Sequence, residues 1–96
     1  MRKEEALKIL AEHKPELIKR FGITDLALFG STARDEARDD SDIDVMVEFD
    51  GEATAKRYFG VQFYLEDLLH CEIDLVQKNV VRAELKPYIQ KDLIHV

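Results

Sequence analysis

Two aspartates stand two residues apart in Asp42-Ile43-Asp44, and a third, Asp74, lies in Glu72-Ile73-Asp74-Leu75-Val76. On a strand, residues i and i+2 leave the same face with their Cα atoms about 6 to 7 Å apart. The alternates Ile43, Val45, Val47 and Phe49 are apolar, so Asp42 and Asp44 turn away from the core that those residues fill. Asp74 likewise alternates with Ile73 and Leu75, which places three carboxylates on the uncovered side of one sheet. Such a grouping is costly by itself: at an effective dielectric of 20, two charges about 6 Å apart repel by roughly 3 kcal/mol. A divalent cation reverses the sign, and an all-oxygen set with no His or Cys nearby in sequence favours Mg²⁺ or Mn²⁺ over Zn²⁺.

Upstream, Gly30-Ser31 ends an apolar run just before a helical turn. There a backbone presents free N–H groups and a positive dipole end to a phosphate, and Ser31 adds a hydroxyl donor. A Gly-Ser pair alone is an ordinary turn. Its meaning comes from the ten residues that separate Ser31 from Asp42.

The elements that must hold these residues follow from apolar spacing. Leu7, Leu10, Leu17, Ile18 and Phe21 recur at helical intervals over residues 3–21, with Pro15 expected to kink or restart that helix and Gly22 to end it. Residues 25–29 read as a short strand, 32–37 as a polar helical turn, and 42–49 as the clearest strand, alternating with a period of two. From Ala53 or Thr54 to His70, Tyr58, Val61, Leu65 and Leu68 share one helical face. Phe59 and Phe63 widen it, so a deeply packed helix is expected, with Gly60 marking the close approach of a neighbour. Residues 71–76 form a third strand, and a last helix carries Pro87 in its first turn and Leu85, Tyr88, Ile89 and Leu93 on its apolar side. Tyr58, Tyr64 and Tyr88 are expected in the core or an interface.

The expected fold class is α/β (α+β), a small mixed sheet with helices packed on one face. The helical crossover between the second and third strands has the length a parallel pair needs, whereas the shorter link between the first and second lets them run antiparallel. That topology brings Gly30, Ser31, Asp42, Asp44 and Asp74 to one edge.

Composition narrows the function classes. With 46% hydrophobic and 35% charged residues, the 96-residue chain is too apolar to stay disordered, and its length suits one domain spanning residues 1–96. A net charge of −6 has the wrong sign for a general nucleic-acid binder, and no direct nucleic-acid partner is expected. Between Gly30 and Glu52, nine acids and two bases give a net of −7, so the acidity belongs to the segment that holds the candidate site. The longest apolar run, Leu26 to Phe29, is far short of a membrane span, and the polar start lacks a secretory signal. With a lone Cys71, these features point to a cytoplasmic protein. His13, His70, His95 and Cys71 do not cluster in sequence. An EF-hand beginning at Asp40 would need Gly at Val45 and Glu at Gly51, and the four glycines have neither P-loop nor dinucleotide spacing.

Taken together, Gly30-Ser31, ten residues, Asp42-Ile43-Asp44 and a later Asp74 resemble the minimal nucleotidyltransferases of the DNA polymerase β superfamily, whose signature is GSx10DxD with a third Asp on a later strand. The resemblance covers nearly the whole chain. It departs at Asp35, where many relatives carry Gly after the Arg. It implies a polymerase β-like nucleotidyltransferase fold in which Asp42, Asp44 and Asp74 hold two Mg²⁺ ions, with Mn²⁺ as a substitute, and ATP is the substrate. Gly30 and Ser31 would bind the β- and γ-phosphates, Arg34 would either touch the triphosphate or pair with Asp35 or Asp39, and Asp74 would help draw the acceptor proton. Larger members carry extra domains for the acceptor. Stand-alone members of this size are typically antitoxins that adenylylate a tyrosine of a HEPN-domain ribonuclease toxin, so a hetero-oligomer with such a toxin is expected. Two alternatives stay open: a non-catalytic nucleotide-binding antitoxin acting by occlusion, and the catalytic subunit of a small-molecule nucleotidyltransferase.

Overall fold

The computed structural model describes residues 1–38 and 40–96. Helix α1 (Lys3–Phe21) leads into strand β1 (Ile23–Phe29) and the one-turn helix α2 (Gly30–Ala33), followed by strand β2 (Ile43–Phe49) and helix α3 (Ala55–Leu69). Strand β3 (Ile73–Gln77), a 3-10 turn, helix α4 (Lys86–Asp92) and strand β4 (Ile94–His95) complete the chain. The strands lie in the order β3-β2-β1-β4. As the link lengths require, β1 and β2 are antiparallel while β2 and β3 are parallel across the α3 crossover.

Alternation sorts the side chains into two faces. Leu26 and Leu28 of β1, Ile43, Val45, Val47 and Phe49 of β2, and Ile73 and Leu75 of β3 join Ala6, Leu10 and Leu17 of α1 and Val61, Leu65 and Leu69 of α3 in one buried cluster. Helices α1 and α3 therefore cover one side of the sheet. On the other side, Ala27 and Met46 are neighbours in register and are also buried. There α4 brings Ile89 and Leu93 over Met46.

Two joints hold the layers together. Gly22 ends α1 at φ 69°, in the left-handed conformation that costs glycine little, and its N–H returns to the Ile18 carbonyl. Over it lies the Arg57 guanidinium, which donates to the carbonyls of Phe21, Gly22, Asp50 and Glu52 at 2.7 to 2.9 Å. One side chain of α3 thus ties down both the α1–β1 turn and the β2–α3 loop.

Several expectations are corrected. Helix α1 runs unbroken through Pro15, because Leu10 before it and Leu17 after it are both fully buried and packing outweighs the one lost backbone bond. Leu69 takes the buried position expected of Leu68, and Phe59 and Phe63 are exposed rather than packed. Leu85 and Tyr88 also face solvent, so only the Ile89 and Leu93 side of α4 packs. Strand β4 was not foreseen; its two residues pair with Ala27 and Leu28 on the free side of β1. Gly60 does mark a close approach, since an added Cβ would run into the Phe21 ring. No helix among the described residues is long and apolar enough to cross a membrane.

Candidate active site

Parallel pairing sets Asp44 of β2 directly beside Asp74 of β3 in register, both on the face turned away from α1 and α3. Asp42 precedes β2 and is exposed. On its other side Asp44 pairs in register with Phe29, whose successor is Gly30. Gly30 has φ 72°, and a Cβ added there would collide with the Asp44 carboxylate. The glycine is thus required twice, by its backbone conformation and by the acid that packs against it. Ser31 follows, half-buried within α2, and no hydrogen bond among the described residues engages its hydroxyl.

The electrostatics follow from this placement. Asp44 is pushed up from 3.8 to about 6, first by burial, then by a hydrogen bond with Asp74, and further by the charges of Asp74 and Asp42. Arg34 opposes the shift weakly from a distance. A hydrogen bond between two carboxyl groups needs one shared proton, so the pair holds a proton below about pH 6 and faces uncompensated repulsion above it. A hard divalent cation would relieve that repulsion, and carboxylate oxygens are its preferred donors. The donor pair therefore fits Mg²⁺. The expected convergence is nevertheless partial: among the described residues no three acidic, His or Cys groups form a ready-made metal cluster. The fold assembles Asp44 and Asp74, with Asp42 contributing charge from outside the pair.

Arg34 sits just after α2 and is committed elsewhere. Its guanidinium pairs with Asp92 at 2.6 Å and Glu36 at 3.2 Å, which hold its pKa above the ordinary value. Of the two carboxylates expected to pair with it, Asp35 accepts the Lys3 backbone N–H instead, and Asp39 lies outside the described residues. Asp35 also explains the departure from the family pattern, because φ there is 58°, the left-handed region that Gly occupies freely and Asp tolerates. Asp92 is a residue that sequence reasoning missed. It ties the end of α4 to the end of α2, across 58 positions that no local pattern connects. Thr32 was also missed; it is fully buried and its hydroxyl has no hydrogen-bond partner among the described residues.

The remaining candidates take bland roles. His13 meets the Tyr64 hydroxyl and His95 meets Asp25, so the histidines do not assemble. Burial pushes the Cys71 thiol up, away from the thiolate that a nucleophile needs. Tyr58 donates to the Leu75 carbonyl, Tyr64 is half-buried, and Tyr88 is exposed.

Comparison with known proteins identifies the family. The nucleotidyltransferase domain family matches residues 10–95, a span that includes Gly30, Ser31, Asp42, Asp44 and Asp74. The chain belongs to this family. Along its length, the nucleotidyltransferase is 36% identical over 93 residues to the protein adenylyltransferase MntA of Thermococcus cleftensis, covering 97% of this chain and 94% of that one. A solved structure assigned to the minimal nucleotidyltransferases superposes with a TM-score of 0.81 at 32% identity, covering 98% of this chain and 95% of the other. The fold is also shared, at a TM-score of 0.60 and 18% identity, with a structure of a tri-AMPylated Shewanella oneidensis HEPN toxin in complex with an MNT antitoxin, over 97% of this chain and 66% of that one.

Proposed function

We propose that this nucleotidyltransferase is an ATP- and Mg²⁺-dependent protein adenylyltransferase that acts as an antitoxin, transferring AMP to a tyrosine of a HEPN ribonuclease toxin with which it forms a hetero-oligomer. The observation that carries the reading is the Asp44–Asp74 pair, set side by side on the sheet face opposite α1 and α3, with no side chain at Gly30 to obstruct it. Natural selection for stability alone would not keep two carboxylates in mutual repulsion there. Asp42, Asp44 and Asp74 would hold two Mg²⁺ ions, or Mn²⁺ in their place, which when bound supply charge neutralisation at the triphosphate and the attacking oxygen. Gly30 and Ser31 would bind the β- and γ-phosphates through backbone N–H groups and the free hydroxyl. Asp74 would take the proton of the acceptor hydroxyl as that oxygen bonds to the α-phosphorus. The bond from the α-phosphorus to the bridging oxygen breaks, and pyrophosphate leaves. Arg34, held by Asp92, acts through its field and by fixing α4.

Catalysis and occlusion separate by stoichiometry. About 1 part enzyme with Mg²⁺ and ATP should convert a 50-fold excess of toxin, on the order of many turnovers, to a form bearing AMP on tyrosine, and silencing should persist after the enzyme is removed. Mass spectrometry reads the mass increment. Silencing only at equimolar ratio, without ATP and equally by the Asp42→Asn/Asp44→Asn double variant, would mean that the chain acts as a binding module instead.

A further inference from the structure

Helix α3 carries an exposed stripe on the side opposite its buried Val61 and Leu65. In order, the stripe is Lys56, Phe59, Phe63 and Asp67, all exposed and all within one side of the helix at 100° per residue. Phe59 is 48% and Phe63 63% exposed, and their rings stack on each other with centroids 6.2 Å apart. Two adjacent, solvent-facing phenylalanines are an apolar patch that nothing among the described residues covers. Lys56 and Asp67, at the two ends, enter no ion pair among the described residues. Beside the stripe, an open groove of about 670 Å³ runs between α1 and α3, with Phe63 on its wall.

The order of these residues identifies the occupant. Turned over by a twofold axis through the middle of α3, near position 61, the stripe superposes on its own complement. Phe59 falls against Phe63 of the second copy, and Lys56, about 16 Å from Asp67 along the helix, falls against Asp67 of the second copy. A basic end, two aromatics and an acidic end are what an isologous antiparallel helix pair requires, whereas a dissimilar partner has no need of this symmetry.

We propose that α3 is the interface of a homodimer, formed by antiparallel docking of its Lys56-Phe59-Phe63-Asp67 stripe on a second copy of this chain. The stripe lies in the helical layer, on the far side of the sheet from Asp44 and Asp74, so both candidate active sites stay open in the dimer. One helix pair is a small interface, so the dimer is reversible.

Sedimentation velocity over a range of about 1 to 500 µM should show a monomer–dimer equilibrium, and Phe63→Ser should weaken it by at least ~30-fold, as for a central aromatic anchor. Lys56→Asp and Asp67→Lys should each weaken self-association by about 3- to 5-fold, the effect of rim charges. Mixing those two single variants should restore dimers, since each then meets its opposite charge at both ends. Thermal melts of all variants should match wild type, because the substituted side chains are exposed. A wild-type chain that stays monomeric throughout, a dimer indifferent to Phe63→Ser, or charge variants that do not recover on mixing would each overturn the proposal.

Discussion

Asp44→Asn should make the metal-free protein more stable at neutral pH. The rise of the Asp44 pKa from 3.8 to about 6 means that folding favours the protonated acid. Stability from this group is therefore fully present below about pH 4 and is lost as pH rises through 6. At ~1.36 kcal/mol per pKa unit the full penalty at pH 7.5 is about 3 kcal/mol, and solvent screening of a half-exposed carboxylate cuts that to about 1.5 kcal/mol. Asn mimics the protonated acid: it carries no charge, and its amide can donate to Asp74. The variant should thus melt about 6 to 12 °C above wild type at pH 7.5, for a domain of this size, and the gap should close towards pH 4.5. Differential scanning calorimetry without metal, at both pH values, measures this directly. Millimolar Mg²⁺ should then raise the melting temperature of wild type and leave the variant nearly unmoved. A variant that melts below wild type at pH 7.5, or a gap that does not change with pH, would refute the repulsion argument and make Asp44 a structural residue.

Three further perturbations separate site from scaffold. Ser31→Ala should slow nucleotide turnover by about 1 to 3 kcal/mol of lost charge-assisted hydrogen bonding, while its melting temperature stays close to wild type; a weakened fold with full turnover would assign the hydroxyl to the fold alone. Gly30→Ala forces a Cβ into a left-handed position and against the Asp44 carboxylate, so it should cost about 1 to 3 kcal/mol in denaturant melts and also lower activity. Arg57→Ala removes four carbonyl contacts far from the carboxylates and should destabilise by about 2 to 4 kcal/mol. Arg57→Lys should recover little of that loss, because one ammonium cannot reproduce the planar fork.

Much of the site was legible in the residues because its information is local. Alternation along Asp42–Phe49 decided that Ile43, Val45 and Val47 go inward and the aspartates outward, and that follows from the two-residue period of a strand whatever surrounds it. The resemblance to the GSx10DxD signature tied Gly30-Ser31 to Asp42 and Asp44, and the crossover length foretold which strand pair would be parallel. Helical periodicity was less decisive for α3. A broad apolar face shows that a helix packs, yet it does not say where the core ends, so Phe59 and Phe63 read as buried until the position of α1 left them outside.

Tertiary structure alone decided the contacts between distant segments. The sequence places Asp44 and Asp74 on strands, but their register, and with it the rise in the Asp44 pKa, depends on how α3 spans β2 and β3. The need for glycine at position 30 came partly from Asp44, fourteen positions away, whose carboxylate occupies the space of the missing Cβ. Arg34 found Asp92 rather than its sequence neighbour Asp35, and two residues at the C-terminal end became strand β4 by pairing with β1. Each of these results from chain closure over tens of residues. Period and propensity describe only the few residues around a position, and no local preference encodes which partners such closure brings together.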